Sequence, residues 1–525
     1  MSTNPPTPAA PDPRRLRTIL IAVCVALMAV IASVTGLNVA QPDMAVEFGA
    51  AQTTILWIIN VYTLTLAALL LPLGAIGDRL GRKPMLITGL IVFGAASALA
   101  GLAPSSGVMI AARVLSGVGA AMIMPITLAV ITSTFPGEQR GKAIGVWTGV
   151  AGGGGIIGMF LSALLVDVAD WRWLFVLPVV LVVVSLGMMR SVPDSREHSG
   201  HPFDTVGALA SVLAVAGLIF VLQEGPERGW SDPVTLAGLV VGLGALVFFV
   251  AWELRRGDVS LLDVRLFRER DLAGGSITLL VVFGVQAGVF VVLFPFLQAV
   301  LGWSGLLSTL ALMPMAVLMM TTSSLAPKLA AHIGARSTTA AGIALFGTGL
   351  ALIAGIVSVD GGYLSILPGM LAMGIGMGLS MTPSTEAITS SLPRAKQGVA
   401  SALNDITREF GTALGVALLG ALLANGYRRA VDGRLGGIPQ DAADAARQGV
   451  ANAIEAAGAA GTHAQPLVEA ARQSFVDGWQ QAMWAGVVVM GVLFVYAALR
   501  GPKNKLPAPA DPEETHETVT PQGTA

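Results

Sequence analysis

The chain has 525 residues, of which 31 are Lys or Arg and 32 are Asp or Glu; 12% carry charge and 54% are hydrophobic. Soluble domains are about 25% charged, so this composition excludes a soluble enzyme or nucleic-acid binder, and a net charge of −1 offers nothing to a polyanion. The lone Cys24 excludes a disulfide framework and Cys-ligated zinc or iron–sulfur sites.

What remains is an all-α polytopic membrane protein. Residues 1–17 are Pro-rich, end in Arg14, Arg15 and Arg17, and are expected to form a disordered tail. The apolar run 18–40 exceeds the ~7–15 residues of a signal-peptide core and reads as a first transmembrane helix. Thirteen further runs follow, near 53–73, 86–103, 107–132, 142–165, 173–190, 205–223, 235–253, 274–300, 306–326, 338–357, 363–388, 400–424 and 477–499. Fourteen spans result. The connection 425–476, Ala-rich with spaced polar residues, is expected to form an extracytoplasmic helical hairpin, and 500–525 a disordered tail.

Lys and Arg concentrate in cytoplasmic loops. Here every connection from an even to an odd helix is basic: Arg79/Arg82/Lys83, Arg140/Lys142, Arg190/Arg196, Arg255 to Arg270, Lys328/Arg336 and Arg394/Lys396. The opposite connections carry little positive charge, with Arg172 and Arg228 as isolated exceptions and the last one, 425–476, as the odd one with five Arg. This alternation places both termini in the cytoplasm and the chain in the cell membrane. Trp171, Trp173, Trp230 and Trp303 fall near outer helix ends, where an interfacial aromatic belt is expected.

The sequence repeats itself eight helices apart. GDRLGRK (77–83) matches AHIGAR (331–336), aligning Gly81 with Gly334. AVITSTFPGEQRG (129–141) matches EAITSSLPRAKQG (386–398), and the same offset aligns Gly154 with Gly411 and Gly158 with Gly415. The spacing predicts two six-helix bundles, 18–190 and 274–499, with two helices inserted over 205–253. Paired bundles around a midplane site are a secondary-transporter architecture.

At these residues a family resemblance is explicit. Gly74-Ala-Ile-Gly-Asp78-Arg79-Leu-Gly81-Arg82-Lys83 resembles the loop signature of the major facilitator superfamily. Ala111-Ala-Arg113 through Gly117 and Gly119, with Pro125, resembles the fourth-helix motif of its drug exporters. Fourteen spans, Asn38-Val39-Ala40 before Pro42, and Trp57 to Tyr62 resemble the fourteen-span drug:proton antiporter branch. The resemblance implies the major facilitator fold, a gating latch in the loop signature, and a role for Arg113 in proton or substrate handling; snorkelling of Arg113 to the interface is the alternative. Gly145, Gly154 and Gly158 resemble the antiporter motif of helix five, although its proline and final glycines are replaced at 159–163. The branch's usual acid in helix one is absent from Ala32-Ser33-Val34-Thr35, and Asn60 stands where some multidrug members carry a second acid.

The remaining intramembrane charges concentrate in helix thirteen, Asn404-Asp405-Ile-Thr-Arg408-Glu409. Asp405 and Glu409 are four apart and share a helix face. Counting from residue 399 at ~1.5 Å per residue, Glu409 reaches about 15 Å, the midplane of a ~30 Å core. Two acids on a desolvated face repel when both are ionised, which suits a site that takes up and returns a proton. Arg408 could instead neutralise one of them as a structural ion pair. Glu386 in helix twelve is a further candidate. Asn38, Trp57, Asn60, Tyr62, Trp147, Phe294, Gln298 and Asn404 are candidate cavity residues, since an apolar cavity with a few polar groups suits amphipathic ligands.

These readings converge on proton-driven efflux of hydrophobic or amphipathic small molecules by a monomer in contact with lipid. The energy source would be the proton gradient, with no cofactor, ATP or nucleic acid. A facilitator or carrier of an endogenous metabolite with different coupling is the alternative, and a non-transporting membrane receptor a third reading. Enzymatic activity is not expected: the chain has five His and neither a nucleophile–base pair nor a phosphate-binding loop.

Overall fold

A computed structural model of the protein describes residues 12–37, 40–195, 203–458 and 461–502; among these residues there are only helices and turns. Without water in a bilayer core, every backbone polar group must be satisfied inside its own helix, so long apolar runs have no other outcome. Thirteen helical segments are long and apolar enough to cross a membrane. The first eight crossings are α1 (Pro13–Gly36), α2 (Gln52–Leu80), α3 (Arg82–Gly101), α4 (Ser106–Thr134), α5 (Gly137–Val168), α6 (Val176–Met188), α7 (Thr205–Arg228) and α8 (Pro233–Arg256). They are followed by α9 (Arg270–Pro295), α10 (Met313–Ile333), α11 (Ala335–Ile356), α12 (Leu367–Ser390), α13 (Gln397–Asp432) and α14 (Ala464–Arg500).

The span expected at 363–388 is α12, the one crossing outside the thirteen. Its Gly, Ser and Thr residues dilute its apolar character. It packs against α9, α10 and α11 and buries Ser380, Thr382, Ser384, Thr385 and Thr389. A helix enclosed by other helices does not need a lipid-facing apolar surface, and small residues let its neighbours approach.

Three boundaries differ from expectation. Helix α1 starts at Pro13, with Asp12 accepting the Arg14 N–H at 3.0 Å as its cap. The arginines assigned to the tail therefore belong to α1, and Arg15 donates to the Ser191 carbonyl at 3.1 Å. Helices α13 and α14 run 36 and 37 residues, ~54 Å each, and overshoot the core on the face away from the termini. The loop expected over 425–476 is thus largely helix. The hairpin is present as Gln440–Gln448 and Val450–Ala457, docked on these extensions. Tyr427 donates to the Ala446 carbonyl at 2.7 Å, and Arg434 pairs with Asp477 at 2.7 Å.

Trp171 is not part of an interfacial belt. It is 3% exposed, meets Phe48 edge-on at 5.6 Å and donates its indole N–H to Glu47 at 2.6 Å. Arg172 pairs with the same carboxylate at 2.6 Å, which explains that isolated charge; the hydrogen bonds from Arg172 and Trp171 hold Glu47 below the usual carboxylate range. Trp173 and Trp230 are about half exposed, and Trp303 lies against the Tyr363 ring. Arg228 pairs with Glu224 at 2.5 Å.

The internal repeat has a structural counterpart. Gly81 and Gly334 each end one helix and begin the next at positive φ, 110° and 87°, a conformation that excludes most side chains. Gly154 and Gly158 bring α5 against Met28 and Ala32 of α1, while Gly411 and Gly415 bring α13 against Leu280 and Gly284 of α9. Equivalent glycines thus serve equivalent helix pairs.

Candidate functional site

The loop signature closes the seam between the two halves on the face that carries the helix termini. Arg82 donates to Asp78 Oδ1 through Nε (3.1 Å) and Nη2 (2.9 Å). Asp78 also caps α13: the Gly398 N–H donates to both carboxylate oxygens, at 2.9 and 2.8 Å, and the Val399 N–H to one at 3.3 Å. The partial positive charge of a helix N-terminus favours that carboxylate. Arg82 Nη2 reaches the Arg394 carbonyl at 3.0 Å. Gly74 has no side chain because the Gly398 carbonyl would lie 2.6 Å from a Cβ there. Arg79 stacks over Phe203 at 5.4 Å, and Lys83 is half-exposed beside the turn at Gly81. Asp78 thus both pairs with Arg82 and caps a neighbouring helix.

Asp405 and Arg408 form the charged centre on α13. Asp405 is fully buried; its Oδ1 accepts from Asn404 Nδ2 at 3.2 Å and lies 3.5 Å from Arg408 Nη1. Arg408 crosses to the other half, donating to the Ala151 carbonyl of α5 at 3.2 Å. Its guanidinium sits 4.5 Å from the Phe283 ring centre and 5.7 Å from that of Trp147. Trp147 is fully buried and donates to Thr127 at 3.0 Å. Asp405 Oδ2, Asn404 Oδ1 and Arg408 Nε have no hydrogen-bond partner among the described residues. Buried polar atoms are nearly always satisfied, so three open valences within one turn mark a place where a proton or ligand has something to bind. Glu409 is half-buried on the next turn.

Arg113 does not snorkel. It is fully buried and donates to Ser33 Oγ at 2.9 Å, to the Ser33 carbonyl at 3.4 Å and to the Ile58 carbonyl at 3.3 Å. Its guanidinium lies 4.1 Å from the centre of the Tyr62 ring, whose hydroxyl bonds Val30 O. All of these are neutral groups. The residue at the place of the missing helix-one acid, Ser33, is therefore the direct partner of Arg113.

The glycines of α5 are contact points on two sides. A Cβ at Gly145 would stand 2.5 Å from the Ser323 carbonyl of α10, while Gly154 and Gly158 admit α1. Glu386 faces the start of α5: its carboxylate lies 3.7 Å from where a Gly141 Cβ would be, with Arg140 as its electrostatic partner.

The cavity candidates divide. Tyr62, Trp147 and Asn404 join the charged clusters. Trp57 packs on Phe220 of the inserted α7 at 6.1 Å, and Asn60 is half-buried one turn away. Phe294 packs against the α9 core. Gln298 is exposed in the π-helical turn Phe296–Val300. Asn38 lies outside the described residues. The sequence reading missed the backbone N–H groups of Gly398 and Val399, Thr127, Phe283, and Arg140 as a partner of Glu386. Only Gly398, through its repeat mate Gly141, left a trace in the sequence.

The model of the Major Facilitator Superfamily matches residues 21–416. The chain belongs to this superfamily and is a multi-pass membrane transporter. It is 31% identical to the multidrug efflux pump LfrA of Mycolicibacterium smegmatis, covering 94% of this chain and 97% of that one. It is 33% identical to the puromycin resistance protein pur8 of Streptomyces alboniger over 78% of this chain and 82% of the relative. Among solved structures it resembles the proton:xylose symporter XylE, with a TM-score of 0.59, 13% identity and coverage of 93% and 96%; that likeness concerns the fold. The loop latch and the α5 glycines lie in the matched region, as do Arg113, Asp405, Arg408 and Glu409.

Proposed function

We propose that this protein exports hydrophobic or amphipathic small molecules in exchange for protons, by alternating access between its two halves. The observation that carries the reading is the Asn404–Glu409 turn. Its buried acid retains an unpaired oxygen, and its arginine reaches from one half to the other. A proton arriving at this turn weakens the hold of Asp405 on Arg408 and, through Arg408, the bond to α5. A chemical event of one proton is thereby tied to the relation between halves. Arg113 sits among neutral partners, so coupling is assigned to Asp405 and Glu409, with Arg113 orienting cargo.

Relatives named for multidrug efflux and for puromycin resistance support the cargo class. The basic connections put the latch face and both termini in the cytoplasm. The driving force is the proton gradient, the working unit a monomer in lipid. Uptake of a fluorescent amphiphile into inverted membrane vesicles, with and without an imposed proton gradient, tests this: uptake indifferent to the gradient contradicts antiport.

A further inference from the structure

The seam between α2 and α13 has three levels. At the terminal face Asp78 bonds Gly398. One turn inward, Gly74 lies against Gly398 and Ala402, which would be 2.6 and 3.0 Å from a Cβ. One further turn inward, Leu71 lines a cavity of about 500 Å³ together with the Leu403, Ile406 and Phe410 side chains of α13. The inserted helices close its outer side, α7 through Ala214 and Leu218 and α8 through Phe249. Phe267, from the connection after α8, is 39% exposed at its edge.

The chemistry of the wall is one-sided. Its single polar side chain, Ser211, already donates to the Ala208 carbonyl at 2.8 Å. Everything else is apolar, and Phe249, Phe267 and Phe410 contribute rings from three separate elements. Drug-sized ligand sites span ~300–1,000 Å³ with mostly apolar and aromatic linings. Ile406 and Phe410 follow Asp405 and Glu409 directly in the chain, so the cavity and the acid turn occupy different sides of the same stretch of α13.

We infer that this cavity is a binding site for the ring-bearing apolar part of the cargo, entered sideways from the membrane leaflet on the terminal face, with α7 and α8 supplying its outer wall. The inference takes its cargo class from the efflux reading. A compact ringed molecule matches three phenyl groups converging from different elements, whereas a lipid acyl chain would need a continuous groove along one helix. Release of the Asp78 latch would part the seam directly beneath the occupant and bring it toward the acid turn.

The test is photolabelling of the full-length protein in phosphatidylcholine nanodiscs with a neutral adamantane diazirine, mapped by mass spectrometry. The expected result is label on Ala214, Phe249 and Ile406 that falls at least tenfold with excess N-phenyl-1-naphthylamine. Ala214→Phe, which fills the cavity, should lose the label, and Leu213→Phe, on the exposed side of α7, should keep it. Phe249→Ala, which removes one ring of the wall and enlarges the cavity, should lower label at Ile406. Equal labelling of the exposed residues Leu209, Val240 and Val241, or label displaced by added phospholipid and not by the naphthylamine, would overturn the inference. Labelling needs no proton gradient: specific, competed label without gradient-driven uptake refutes the efflux reading alone.

Discussion

Asp78 and Gly398 stand 320 positions apart, and the Gly398 N–H donates to both oxygens of the Asp78 carboxylate. One side chain in the last turn of a first-half helix thus caps a helix of the second half. Arg82 keeps the carboxylate oriented and adds its own bond across the seam. The two halves meet here through charge, whereas the α5–α10 seam is packed by glycines against backbone.

Asp78→Asn removes the charge that the helix N-terminus and Arg82 share. Breaking a buried pair of this kind costs ~3–5 kcal/mol, enough to shift the balance of conformations by a factor of ~100 or more. Spin labels at Leu80 and Ala395 in a Cys24→Ser background should report a longer distance on this face for Asp78→Asn than for the parent. Unchanged distances would show that the latch does not hold the closed state.

Arg113 is a buried cation among neutral partners, which is a poor arrangement for stability. Replacing it with Met, of similar volume, should abolish transport while leaving thermal stability equal or higher by about 1–4 kcal/mol. Arg113→Lys cannot reproduce the three directed bonds to Ser33 and Ile58 and should also lose transport. A transport-competent Met variant would reduce Arg113 to a packing residue.

Gly145 and Gly244 provide a matched pair. A Cβ at Gly145 meets a carbonyl at 2.5 Å, whereas one at Gly244 meets nothing within 4 Å. Gly145→Ala should destabilise by ~1–3 kcal/mol and slow transport; Gly244→Ala should be neutral or stabilising by up to ~1 kcal/mol. Thermal unfolding of both variants in detergent makes the comparison.

Glu47 gives a pH signature on the opposite face. Its folded value lies below the unfolded one, so its contribution is fully present above the unfolded carboxylate range and is lost as pH falls through the lowered value. Thermal stability of the parent should therefore decline in acid more steeply than that of Glu47→Gln. Parallel acid profiles would remove the Glu47–Arg172 pair from the stability of this face.

Lipid explains why so much of the fold was legible. A span must be a helix, and a basic loop marks a side, so apolar runs and arginines together located the crossings. That signal disappears where a helix leaves lipid. The start of α14 shows only a stripe at Leu467, Ala471, Phe475 and Gly478, packed on protein, which is a periodic signal and not a hydropathy peak. Site residues were legible as types but not as partners. Depth alone could not tell whether Arg113 turns to the interface or to Ser33, and no local pattern connects Asp78 with Gly398. The acid turn of α13 was found because a charge in an apolar run is conspicuous; its bond to Ala151 was not, because backbone carbonyls leave no mark in sequence.

The most direct measurement is gradient-driven uptake into inverted vesicles by the parent, Asp405→Asn, Glu409→Gln and the double variant, at equal protein levels. The account predicts that imposing a proton gradient raises uptake in the parent at least tenfold and leaves the double variant unchanged, while that variant still binds the amphiphile. Uptake that remains gradient-dependent in the double variant would contradict it.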